Sequence, residues 1–200
     1  MTTFEEYYKE LSKREGFDQR ELISVWDKNL IDEVSQDFEQ AVASSEFIDS
    51  LCSIRENSSN QSIGNQVAGY AIDELNEHLK IYKIEKCSGS GYPDRLLEKG
   101  DFKNIALEMK ATSEWNPNDA NRRVLTSSSK KIRDKFTAPI YHLICTIIYQ
   151  NSNQQYKIKI VRLDFIEPHT SVYIRLEASV SHKLLENKDH ESKCFPGKSI

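Results

Sequence analysis

The chain has 200 residues, 38% of them hydrophobic and 29% charged, with a formal net charge of -4. That apolar content supports one core with an appendage and is too small for two full domains. Four widely spaced cysteines, five scattered histidines and a longest apolar run of nine residues (141–149) argue against a disulfide scaffold, a paired-ligand zinc module and a helical membrane span.

Residues 1–56 hold fourteen Asp and Glu against six Lys and Arg. Leu22, Val25, Trp26 and Leu30, then Phe38, Val42, Phe47 and Leu51, recur at spacings of three to five, which predicts amphipathic helix. We expect this acidic stretch to be a helical region of its own, with the principal domain over residues 57–200. Ser58–Ser62 breaks the pattern with small polar residues, and a helix is predicted from about Ile63 to Leu79. Ser88-Gly89-Ser90-Gly91 lacks the Lys and helix start of a phosphate-binding loop and reads as a flexible lead-in to Asp94.

Two strands are predicted next, Asp94–Leu97 and Phe102 onward, joined by a turn over Glu98-Lys99-Gly100-Asp101. Ile105, Leu107 and Met109 alternate with Ala106, Glu108 and Lys110, the period of a strand with one buried face. Glu108 and Lys110 therefore share the other face, and a hairpin centred near Asp101 sets Asp94 roughly opposite Glu108. Residues 110–135 then carry seven Lys and Arg against three acids. After the polar segment Ser113–Asn121, a basic helix near Ser128–Phe136 should cross back over the sheet to the apolar strand 141–149, which makes the sheet mixed. Tyr156–Ile160 alternates, but Val161, Leu163 and Phe165 carry the apolar side at odd positions, so a bulge is expected near Ile160-Val161. Val172, Ile174 and Leu176 suggest one further strand before a charged C-terminal segment. The expected class is α/β, a mixed central sheet flanked by helices and preceded by a helical region.

The acids and lysine of the hairpin suit a particular chemistry. A hard divalent cation such as Mg²⁺ prefers oxygen ligands and commonly takes one or two protein carboxylates, here Asp94 and Glu108. Lys110 is placed to orient a water or to offset charge growing on phosphorus. Lys110, Arg122, Arg123, Lys130, Lys131, Arg133 and Lys135, with Ser127, Ser128 and Ser129, supply a candidate phosphate-contacting surface. Asn116, Asn118, Asn121, Arg122 and Arg123 are candidate base readers by residue type. His190 and Cys194 are the nearest approach to a zinc pair. With no apolar N-terminal run of signal-peptide type, a reduced cytoplasmic setting is expected.

At Pro93-Asp94 and Glu108-Met109-Lys110 the chain resembles the PD-(D/E)xK nuclease superfamily and, within it, the type II restriction endonucleases. Gly64–Leu75 looks like the helix that commonly precedes this hairpin, its acid being Asp73 or Glu74. A further likeness, to one branch of these enzymes, lies in Pro93–Leu97, Gly100-Asp101 and Leu125–Lys130. The resemblance spans roughly residues 57–165. It implies a restriction-endonuclease-like core and a Mg²⁺ site formed by Asp94, Glu108 and Met109. Catalysis would fall to Asp94, Glu108, Lys110 and the helix acid. It further implies cleavage of double-stranded DNA at a short sequence, leaving 5′-phosphate ends, by a homodimer for which residues 1–56 would supply a contact or a DNA arm. The alternatives are a structure-selective nuclease of repair or recombination, and a DNA-binding module of the same fold without chemistry.

Overall fold

The alternation at Ile105–Lys110 forms part of strand β5 (Phe102–Thr112), which sits inside a seven-stranded mixed sheet. The computed structural model describes residues 2–15, 23–44, 46–87, 92–114, 123–124, 140–175, 181–183 and 189–196. On one side of β5 lie the antiparallel strands β4 (Arg95–Lys99) and β3 (Lys83–Lys86). On the other lies β7 (Tyr141–Ser152), parallel to β5, followed by the antiparallel strands β8 (Gln155–Ile166) and β11 (Glu191–Phe195). The two-residue β2 (Leu51–Cys52) pairs with the far end of β8. A second sheet orders β1 (Thr2–Thr3), β9 (Ser171–Arg175), β10 (Ser181–Lys183) and β6 (Arg123–Val124).

Local chemistry explains the turns. Lys99 pairs with Phe102, so the β4–β5 turn is Gly100-Asp101, and Gly100 takes φ +57°, where an added Cβ is disfavoured. The turn is thus shorter than the expected one, with Glu98 and Lys99 in the strand. The β7–β8 hairpin turns at Asn153 and Gln154, both at positive φ. Ile148 pairs with Ile160 and Tyr149 with Ile158, which leaves Lys159 as the extra residue. The expected bulge is therefore present one residue earlier, and it returns Ile158 and Val161 to the same buried side.

Among the described residues three helices flank the sheet: α1 (Phe4–Glu15), α2 (Lys28–Ser44) and α3 (Asn60–His78). Ser59 caps α3, its hydroxyl accepting from the Ser62 N–H. Val34, Phe38 and Val42 of α2 and Val67, Ala71 and Leu75 of α3 join Ile105, Leu107 and Met109 in the larger core. Asp37 of α2 accepts the backbone N–H groups of Lys80, Ile81 and Tyr82, which ties that helix to the approach to β3. A smaller core fills the opposite face with Phe4 and Tyr8 of α1, Tyr92, Leu96, Ala106, Ile144, Ile166 and Val172.

The helical stretch within residues 1–56 contributes to both cores, α1 packing on one face of the sheet and α2 on the other. One expectation is corrected, since helix does not run through Val25 and Trp26: Ile23–Asp27 is irregular, Val25 is 70% exposed, and Trp26 is buried with its indole N–H donating to the His142 carbonyl. Of that periodic set Trp26 and Leu30 pack on the larger core while Val25 faces solvent, so the spacing did not mark a single helical face. The expected helix near Ser128–Phe136 lies outside the described residues.

Candidate active site

Because Arg95 pairs with Leu107 and Leu96 with Ala106, the next position along β4 sets Asp94 beside Glu108. The two are joined directly, the Asp94 main-chain N–H donating to Glu108 Oε2 at 3.3 Å. Lys110, two residues further on the same strand and face, places Nζ 2.8 Å from Glu108 Oε1. Asp94, Glu108 and Lys110 are thus brought together, Glu108 and Lys110 by the alternation and Asp94 by a register shift between Leu97 and Lys99 that offsets the short turn. Arg95 closes over its neighbour, Nη1 donating to the Asp94 carbonyl at 2.9 Å.

The surroundings differ from the expected strand with one buried face. Glu108 is only 5% exposed, since the smaller core continues over its side of the sheet. Burial pushes its carboxyl above the ordinary value; Lys110 opposes that shift and the Asp94 charge adds to it. Tyr8 and Tyr92 lie within reach of the Glu108 charge, and burial, more than any neighbour, holds both phenols well above their usual range. Tyr92, two residues before Asp94, hydrogen-bonds to Nδ1 of His142, and the rings stack with centroids 5.6 Å apart and planes 8° from parallel. Phe4 and Tyr8 of α1 pack against the same imidazole at 4.9 and 5.6 Å. Neither Tyr92 nor His142 carries a local signal in the sequence, because only tertiary packing brings residues 50 positions apart together.

The other candidates fall elsewhere. Asp73 and Glu74 belong to α3, whose apolar side packs on the larger core, across the sheet from Glu108. Asp73 is exposed, and Glu74 lines an open cavity with Ser44, Glu46, Tyr70 and His78. Glu74 also acts on Cys52, whose thiol burial pushes up to about 11. Neither acid joins the pair. The Met109 side chain is buried in the larger core, pointing away from both carboxylates. Asn116, Asn118, Asn121, Arg122, Ser127, Ser128, Ser129, Lys130, Lys131 and Arg133 lie outside the described residues, and Arg123 is placed only by its backbone, in β6. His190 and Cys194 do not form a pair of ligands: His190 Nε2 meets Asp164, and the Cys194 main chain pairs with Arg162.

The donor set fits a hard divalent cation. Two carboxylates stand side by side, one of them buried and raised by desolvation and by its neighbour's charge, an arrangement that added positive charge relieves. Among the described residues no group of three or more His, Cys, Asp or Glu side chains is arranged around one point, so water and substrate oxygens would complete the shell. No helix of the described residues is long and apolar enough to cross a membrane. Comparison of the chain with protein-family models, with curated proteins and with solved structures finds no match.

Proposed function

We propose that the chain is a Mg²⁺-dependent endonuclease of PD-(D/E)xK type that hydrolyses phosphodiester bonds of double-stranded DNA. The observation that carries this reading is the convergence of Asp94, Glu108 and Lys110 at one end of the β4–β5 pair. Asp94 and Glu108 would hold the cation, and Lys110 would sit beside the attacked phosphate. When bound, Mg²⁺ supplies Lewis acidity at the phosphoryl oxygen and lowers the pKa of a coordinated water.

The protein's own contribution is positional. The Asp94 N–H and the Lys110 ammonium fix both oxygens of Glu108, which leaves its rotamer little freedom when substrate arrives. Lys110, with 28% of its side chain exposed, reaches solvent, as the partly buried Asp94 does, and it offsets charge that grows on the phosphoryl oxygens. The buried Tyr92–His142 pair holds the segment leading into Asp94. Within this chemistry we assign a type II restriction role, in which a two-fold dimer cuts both strands of a short symmetric sequence.

The test is digestion of a sequenced plasmid with wild-type protein and the Asp94→Asn, Glu108→Gln and Lys110→Met variants. Discrete fragments with 5′-phosphate ends that need Mg²⁺ and disappear in all three variants are expected. DNA binding without nicking on any substrate would overturn catalysis, and cleavage confined to branched or mismatched duplex would overturn the restriction role.

A further inference from the structure

A second polar cluster lies on the Glu108 face of the sheet and plays no part in the proposed cleavage. Glu108 pairs with Ile144, Ile144 with Asp164, and Asp164 with Ser192, so one cross-strand row leads from the first acid to a fully buried second one. Asp164 accepts from Arg162 Nε at 3.0 Å and Nη2 at 2.6 Å, and from the Ser192 hydroxyl at 2.6 Å. His190, its side chain 2% exposed, places Nε2 3.0 Å from the same carboxylate. A carboxylate surrounded by donors takes an N–H from the imidazole, which leaves Nδ1 to present its lone pair on the other side of the ring.

What Nδ1 faces is another acceptor. It lies 3.6 Å from Asp189 Oδ1, and both atoms are sealed from solvent with no hydrogen-bond partner. Asp189 is fixed by its second oxygen, which accepts the Ser171 N–H at 2.8 Å. The gap is too long for an N–H···O bond. It matches two ligands sharing one ion: bonds of about 2.0–2.2 Å to imidazole nitrogen and carboxylate oxygen set those atoms roughly 3.3–3.7 Å apart.

We propose that His190 Nδ1 and Asp189 Oδ1 form a seat for a divalent transition-metal ion of the zinc, cobalt or nickel class, at the junction of the two sheets. The Asp164 contact to Nε2 is the outer-sphere carboxylate that orients a metal-bound histidine. Two carboxylates against the single Arg162 guanidinium leave one negative charge for the cation to neutralise. The Asp189 side chain is 26% exposed, although its Oδ1 is sealed, so the seat lies close beneath the surface. Both ligands lie in the segment that enters β11, and Asp189 already ties that segment to β9 by accepting the Ser171 N–H. This seat is separate from the Asp94–Glu108 pair and independent of any nuclease activity.

Titrating Zn²⁺ into the chelator-stripped full chain tests it by calorimetry and thermal denaturation. In Glu108→Gln protein, whose other carboxylate pair is broken, one equivalent should bind, and Tm should rise by roughly 5–10 °C at zinc about a hundredfold above the dissociation constant. Adding Asp189→Asn or His190→Gln to it should abolish the rise, while adding Cys194→Ser keeps it. A Glu108→Gln Tm indifferent to zinc, or a rise kept in both double variants, would overturn the assignment. Should either variant fail to fold, the ¹⁵N spectrum of the wild-type imidazoles decides: zinc must move the His190 Nδ1 resonance, and an unmoved resonance refutes the seat.

Discussion

Tyr92 stacks on His142 at 5.6 Å and hydrogen-bonds to its Nδ1, so the residue two places before Asp94 is anchored to the strand two positions across the sheet. Glu108 lies between them in the sheet, on β5. The carboxylate pair is therefore braced from behind by a buried contact that does not itself touch the acids' oxygens.

Tyr92→Phe should leave the fold intact and cost about 1–3 kcal/mol of stability, the range for breaking a buried hydrogen bond. Plasmid nicking should slow while apparent DNA affinity stays within twofold. Equal loss in both would show that Tyr92 supports the fold and not the placement of Asp94.

Glu108→Gln should raise the Tm of metal-free protein at neutral pH, by roughly 2–4 °C for a chain of this size. The sign follows from the carboxyl being raised in the folded state. Its contribution to stability is full below the unfolded-state value and is lost as pH rises through the folded one, so ionised Glu108 is a burden at pH 7. The advantage of the amide should vanish near pH 4. Mg²⁺ should raise the Tm of wild type and leave Glu108→Gln unmoved. Denaturation scans at three pH values, with and without Mg²⁺, check both statements.

Asp164→Asn should behave in the opposite way. Burial raises this carboxyl, but the hydrogen bonds from His190 and Arg162 outweigh burial and hold it below the usual range. Its stabilising contribution is present above the unfolded-state value and lost as pH falls through the folded one. The variant should lose about 3–5 kcal/mol at neutral pH, because a buried guanidinium is left without its carboxylate. Urea titrations at pH 7 and pH 3 should show that penalty shrink at the lower pH.

Gly100→Ala should cost about 1–3 kcal/mol, since φ +57° is strained for any residue with a Cβ. The space around the position is open, so the loss is conformational. A drop in stability without a change in the spectrum of the folded state would confirm it, and an unaltered midpoint would refute it.

The placement of Glu108 and Lys110 on one face was legible from the period of two, but that of Asp94 was legible only in part: the two-residue turn by itself would set Asp94 opposite Leu107, and the irregularity between Leu97 and Lys99 moves it to Glu108. The mixed sheet was legible too, since the apolar run at 141–149 follows β5 through a crossover and lies parallel to it. The burial of Glu108 was not: alternation names one apolar side and is silent on what the other meets, here α1, Tyr92 and His142. The role of α1 stayed hidden for the same reason, as Phe4 and Tyr8 reach their partners only through tertiary packing. His190 was paired with the wrong residue, Cys194, because its partner Asp164 stands 26 positions earlier, and Asp73 and Glu74 misled because helix membership says nothing about which side of a sheet the helix covers.

Thr2 and Thr3 pair with Val172 and Ser171, and the Phe4 N–H donates to the Thr170 carbonyl. Residues 2–4 thus dock on a strand that is synthesised long after them, and the roof that α1 forms over Glu108 must wait for that strand to emerge from the ribosome. A nascent enzyme of the kind proposed would acquire its sheltered reaction centre only once β9 is made, well after both strands of the β4–β5 hairpin are available.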